Sequence, residues 1–206
     1  MTIRVKICGI TNSDDALCAA GEGADAVGFI FYARSPRFVR AEAAAAIIEA
    51  LPPFVTPVGV FVNEPRDRIA DTVATASLRA IQLHGDEPPE ACEGYPVPVV
   101  KALRVGEGFD PSTLGDYPVK TFLMDTEKKE LYGGTGETFD WSVAGEAARR
   151  ARIVLSGGLT PENVAEAIGT VGPYAVDCGS GVEAEPGRKD HGKIARFMEA
   201  VRGAER

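Results

Sequence analysis

Cys8, in the stretch KICGIT, ends a short apolar run and is followed at once by glycine. A free thiol has a pKa of about 8.5, so roughly a few per cent is thiolate at neutral pH. A cationic neighbour would lower that value and make the sulfur a usable base or nucleophile. The two-residue alternation of a strand puts Lys6 on the same face. Taken alone, such a cysteine reads as a small core side chain. Asp125 ends a second apolar run, TFLMD, where a carboxylate is costly unless it is paired or used. It is followed by a charged, glycine-rich loop, TEKKELYGGTGETFDW, that could close over a ligand; a helix N-cap is the plainer reading. Arg34 and Arg37 in YARSPRFV carry guanidinium forks that match a carboxylate or phosphate, although Arg34 reads equally as a solvated charge. His84 closes IQLHG as a ligand contact or as a turn cap. Strand parity turns Asp177 inward, as an orienting group or as a partner for Lys6, and sends Cys178 outward into packing. The same parity assigns Gln82 and Lys101 to the interior, where polar groups must pair.

Two late loops, SGGLTPENV and DCGSGVEAE, put small residues directly after apolar runs. Gly157, Gly158, Gly179, Ser180 and Gly181 would let backbone N–H groups close on an anion such as phosphate. Two tight turns without a ligand would read the same way. GSGVEA also fits the dinucleotide fingerprint formally, but that motif opens a βαβ unit and only one helix's worth of chain follows it.

Eight short apolar or β-branched runs carry these residues: 3–7, 26–31, 57–62, 80–83, 97–103, 121–124, 152–156 and 174–177. Helical patterns lie between them, over 13–23, 41–51, 65–76, 140–151, 160–169 and 191–203. Ser13 precedes an acidic first turn, and Thr160 with Pro161 reads as an N-cap followed by the first helical position. The crossovers GDEPPEACEGYP and GFDPSTLGDYP are proline-rich and predict a turn or two each. Strand–helix alternation demands parallel strands with helices outside them. Eight repeats predict a closed α/β barrel of the TIM type, one domain over 1–206, with an open doubly wound sheet as the alternative. In a barrel, function collects where strands end, and those ends hold the residues named above.

The 206 residues carry 22 Lys and Arg against 30 Asp and Glu, a formal net charge of −8. That field disfavours loose binding to nucleic acid or anionic membranes, while leaving room for a small anion at a local site. Cys8, Cys18, Cys92 and Cys178 form no CxxC pair, and with two histidines they make neither a zinc pattern nor a disulfide framework. No run is long enough to span a membrane, and the N-terminus lacks the apolar core of a signal peptide. These features predict a cytoplasmic protein with reduced thiols.

Taken in order, KICGIT, GFIFYARSPRFV, VGVFVN, IQLHGDE, KAL, MDT…GGTGETFDW, LSGGLTPENV and DCGSGVE…GRKD resemble the phosphoribosylanthranilate isomerase family along nearly the whole chain. The resemblance implies a (β/α)8 barrel in tryptophan biosynthesis. It implies an aldose–ketose isomerase that carries out an Amadori rearrangement of N-(5-phosphoribosyl)anthranilate, with no metal or organic cofactor. Cys8 would be the general base and Asp125 the general acid. Arg37 would hold the anthranilate carboxylate, and the glycine loops the phosphate. His84 and Asp177 are assigned to substrate binding. The partner implied is a small phosphorylated aromatic sugar, and the assembly a monomer or homodimer. Other phosphate-gripping barrels are the alternatives: a histidine-pathway sugar isomerase with two aspartates, a bifunctional enzyme serving both pathways, or indole-glycerol-phosphate synthase, which resembles a longer chain with a catalytic lysine. A silent barrel that senses a phosphorylated metabolite is a further one.

Overall fold

The computed structural model describes residues 2–106, 108–126 and 141–204. Eight parallel strands close into a barrel in sequence order: β1 (Arg4–Cys8), β2 (Ala26–Ile30), β3 (Thr56–Phe61), β4 (Ala80–Leu83), β5 (Val99–Val105), β6 (Thr121–Thr126), β7 (Arg152–Leu155) and β8 (Ala175–Cys178). Closure comes from β1 pairing with β8, Lys6 opposite Asp177. Every strand coincides with a predicted run to within two residues at each end, and the open sheet is excluded. Among the described residues six α-helices lie outside: α1 (Ser13–Gly21), α2 (Ala41–Glu49), α3 (Arg66–Ala76), α4 (Trp141–Ala148), α5 (Val164–Val171) and α6 (His191–Ala204). The two proline-rich crossovers form short 3-10 helices, Pro89–Cys92 and Pro111–Asp116. A two-stranded antiparallel hairpin, β9 (Glu183–Glu185) and β10 (Arg188–Lys189), follows β8. The sequence pattern did not announce it. Among the described residues no helix is long and apolar enough to cross a membrane.

Two apolar layers follow from strand parity. Outward-facing residues such as Val5, Ile7, Leu83 and Ile153 join the helices in one large buried cluster. Inward-facing Ala102, Leu123, Val154 and Ala175 fill the barrel axis with Val100 against them. Lys101, expected inside, therefore faces the helix layer: it lies between inward Val100 and Ala102, and pairs in register with outward Leu83. There its ammonium donates to Gly85 O at 2.8 Å and pairs with Glu87 at 2.7 Å. The second Glu87 oxygen accepts the Asn63 N–H, so this buried pair stitches the β3 and β4 loops together. Gln82 points inward as expected, opposite Val60 and Val100.

The helix starts differ by small shifts. Asn12, in extended backbone, is the N-cap of α1, and its side chain accepts the Asp15 N–H at 2.9 Å, so Ser13 is already helical. Thr160 accepts the Glu162 N–H within a separate turn, and α5 begins at Val164. Asn163 spends its side chain on the preceding loop, accepting the Thr160 N–H and donating to Gly158 O. This pins the first glycine loop.

Candidate active site

The C-terminal ends of the strands surround a cavity of about 750 Å³, part of it open to solvent. Cys8, Arg37, His84, Asp125, Asp177 and both glycine loops line it. Ser35, Tyr32 and Ser156 line it too. Arg34 is exposed and lies in a separate outer groove between the β2 and β3 loops. Asn63 and Asp86, also at strand ends, are joined by the Asp86 N–H donating to the Asn63 side-chain Oδ1 at 2.8 Å. The loop after Asp125 lies outside the described residues from 127 to 140.

Cys8 ends β1, where Gly28 on β2 stands in register beside it. A Cβ on Gly28 would come within 2.8 Å of the Cys8 sulfur and 3.1 Å of Lys6 Cε, so only glycine leaves room for both side chains. Gly9 turns the chain at φ +81, and a Cβ there would meet Arg37 Cδ at 2.7 Å. Its sequence position is thus explained by the arginine packed on it as well as by the turn.

Lys6 and Asp177 form a buried ion pair at 2.8 Å beneath the thiol. Burial alone would pull the Lys6 ammonium down, but Asp177 and Cys8 together hold its pKa above the ordinary lysine value. Burial pushes the Cys8 thiol up; Lys6 and Lys189 pull it down and Asp177 pushes it further up, with a net rise. Lys6 is therefore the expected cationic neighbour, yet it does not by itself make Cys8 a thiolate, because Asp177 offsets its charge and desolvation outweighs the remainder. A raised thiol pKa makes the thiolate fraction, and with it any activity that needs the thiolate, climb with pH on the alkaline side. Lys6→Met removes a stabilising charge and leaves Asp177 unopposed. The ascending limb of kcat/KM against pH should then move to higher pH, as should the thiolate absorbance titration of Cys8. A limb that stays in place would clear Lys6 of any role in ionising the thiol.

Asp125 ends β6 and faces His84 from the end of β4, Oδ2 to Nε2 at 3.2 Å. Gln82 Nε2 lies 2.6 Å from the other ring nitrogen of His84. The His84 ring is thus held between Gln82 at Nδ1 and Asp125 at Nε2. Neither pairing is visible in the linear sequence.

Arg37 reaches the cavity already engaged. Its Nε and Nη2 bind both oxygens of Glu183, at 2.7 and 2.6 Å. Lys189 on β10 is fully buried, and its ammonium donates to Cys8 O at 2.6 Å, Gly179 O at 2.9 Å and Glu183 at 3.0 Å. Glu183 and Lys189 belong to the DCGSGVE…GRKD segment but carried no signal of their own, since a charge in a loop usually reads as a solvated one. The glycine loops turn with positive φ at Gly157 and Gly158. With Gly179, Ser180 and Gly181 they form the wall beside β7 and β8, where barrels commonly hold phosphate. Cys178 points away, donating its thiol to Leu159 O, as parity predicted.

A sequence profile of the N-(5'-phosphoribosyl)anthranilate isomerases matches residues 5–200. The N-(5'-phosphoribosyl)anthranilate isomerase of Geobacter sulfurreducens is 48% identical over 201 residues, 98% of this chain and 99% of the relative. A crystal structure of a phosphoribosyl anthranilate isomerase in complex with reduced 1-(o-carboxyphenylamino)-1-deoxyribulose 5-phosphate superposes with a TM-score of 0.89 at 46% identity, over 98% of this chain and 100% of that one. Monomers generated from the dimeric phosphoribosylanthranilate isomerase of Thermotoga maritima superpose with a TM-score of 0.89 at 45% identity, with the same coverage.

Proposed function

Since the chain belongs to the N-(5'-phosphoribosyl)anthranilate isomerase family, and is an isomerase of tryptophan biosynthesis, we propose that it works by acid–base catalysis with Asp125 as the acid and Cys8 as the base. The observation that carries this reading is that Cys8, Asp125, Arg37 and both glycine loops line a single cavity. The two ends of a phosphorylated sugar joined to an aromatic carboxylate have a cation and an anion cradle to meet.

In this reading the glycine loops hold the phosphate and Arg37 the anthranilate carboxylate. Asp125 gives a proton to the ribose ring oxygen, the ring opens, and the nitrogen lone pair completes a Schiff base. Carbon 2 then carries an acidified proton, which Cys8 removes. The enolamine then gains a proton at carbon 1 while its carbon 2 hydroxyl loses one, giving the ketone 1-(2-carboxyphenylamino)-1-deoxyribulose 5-phosphate; these two transfers offset the proton Asp125 gave and the one Cys8 took, so the reaction is a net isomerisation. Holding both ends of the substrate also holds the reacting carbons between acid and base, which is where orientation lowers the barrier. His84 keeps the Asp125 carboxyl facing the sugar, and Asp177 anchors Lys6 under the thiol.

Mixing the protein with N-(5-phosphoribosyl)anthranilate should quench the anthranilate-type fluorescence with turnover; no quenching would end the isomerase mechanism. Running the histidine-pathway sugar in parallel measures whether a second substrate is accepted. Arg37→Ala should chiefly raise KM, by about 10²-fold for loss of a charge-assisted grip. A kcat loss larger than the KM rise would move Arg37 from grip to chemistry.

The reading makes the small phosphorylated aromatic sugar the ligand and, from the biosynthetic role of the family, the cytoplasm the compartment. Of monomer and homodimer, the homodimer has a specific observation behind it: Phe54, in the loop before β3, is 95% exposed, and the Thermotoga maritima relative is dimeric.

A further inference from the structure

The hairpin β9–β10 brings together three groups that the reaction must keep in fixed relation. Glu183 takes Arg37 in a two-point fork, Nε and Nη2 on its two carboxylate oxygens. The oxygen that binds Nε also accepts from the Lys189 ammonium at 3.0 Å and from the Gly187 N–H at 3.3 Å. Lys189 in turn clamps the carbonyl of Cys8 and that of Gly179. The side chains of Glu183 and Lys189 are 5% and 0% exposed, so these charges are shielded from solvent screening. The carboxyl of Glu183 is held below the ordinary carboxylate range: burial pushes it up, and the Arg37 and Lys189 contacts outweigh that.

A guanidinium has five N–H donors in one plane. With Nε and one Nη2 hydrogen committed to Glu183, the plane is fixed and the remaining donors form a second edge at the cavity wall. Arg37 and Lys189 also bring two cations to the one carboxylate of Glu183. An arginine without such a backing would sample many rotamers and lose entropy on gripping its ligand.

We infer that Glu183 is a positioning residue that gives the enzyme its preference for a carboxylate on the aromatic ring, by holding Arg37 in a fixed plane and, through Lys189, tying that plane to the backbone of Cys8 and the second glycine loop. The inference rests on Arg37 being the carboxylate grip. Glu183 touches no reacting atom; it acts through Arg37.

The test compares two substrates, N-(5-phosphoribosyl)anthranilate and its analogue without the carboxylate, N-(5-phosphoribosyl)aniline. Each is assayed with wild type, Arg37→Ala, Glu183→Gln and the double variant. Wild type should favour the carboxylate substrate in kcat/KM, and Arg37→Ala should lose about 10²-fold of that preference. Glu183→Gln should lose about tenfold or more of it, through KM for the carboxylate substrate, while the aniline substrate changes little. In the Arg37→Ala background the Gln substitution should then remove no further preference, because the two residues act as one unit. Glu183→Asp, which keeps the charge but withdraws it by one methylene, should lose preference too, and it keeps the test available if the Gln variant does not fold. An unchanged preference in the Glu183 variants beside a lost one in Arg37→Ala would overturn the inference and leave the grip intact. An equal loss on both substrates would overturn it by making Glu183 a scaffold residue. An Arg37→Ala variant that keeps its preference would instead remove the grip itself, and the inference with it.

Discussion

Asp125→Asn is expected to lower kcat by about 10²–10⁴-fold with KM nearly unchanged, the usual contribution of a positioned general acid. The substitution suits the site because asparagine keeps the shape and retains an oxygen to face His84 Nε2, now 3.2 Å from Asp125. What vanishes is the acidic proton. Without it the ring oxygen leaves as an alkoxide, and opening becomes the slow step. Single-turnover measurements should show substrate bound but closed, and thermal unfolding should stay close to wild type. Near-normal turnover would remove Asp125 from the acid role.

Cys8→Ser should cost a similar factor, about 10²–10⁴-fold in kcat, at a different step. A hydroxyl fits the space that Gly28 leaves, but it does not ionise at neutral pH, so deprotonation at carbon 2 loses its base. The two variants are separable by isotope. In deuterated solvent the Asp125 variant should block ring opening, whereas the Cys8 variant should open the ring and fail to exchange the carbon 2 proton. A substantial primary isotope effect with 2-deuterated substrate, present in Cys8→Ser and absent in Asp125→Asn, is the expected signature. If Cys8→Ser turned over normally, the base would have to lie elsewhere. Because burial raises the Cys8 thiol pKa above its ordinary value, wild-type activity should climb with pH as the thiolate forms.

Several of these residues were legible before any coordinates. Cys8, Asp125, His84 and Asp177 stand at the ends of runs whose apolar character and length define strands, and a barrel gathers strand ends at one mouth. The inward direction of Lys6, Gln82 and Asp177 follows from the period of two along each strand. The same count failed for Lys101. β5 extends through Val99–Val105, and its inward face is set by Val100 and Ala102 against Leu123. A lysine flanked by small apolar residues offers no local signal of which side it takes. At α5 the difference is smaller: Thr160 accepts the Glu162 N–H and its carbonyl accepts the Val164 N–H, as a cap does, while Asn163 ties the intervening turn to the Gly158 carbonyl and the regular helix begins at Val164.

From composition, periodicity and spacing alone, the chain determined its eight strands and the loops that carry glycine, because these depend on local propensity and on the short range of strand and helix patterns. Pairings depend on register and on loops meeting in space, so only the tertiary structure decided them. Lys6 meets Asp177 because β1 and β8 close the barrel across 171 positions of sequence. Arg37 meets Glu183 across 146, and there the fork already holds a carboxylate. The cysteine of KICGIT was readable as a thiol at a strand end. That burial would raise its pKa against Lys6, and that Lys189 would clamp its carbonyl, came from charges and dielectric that only the assembled fold puts side by side.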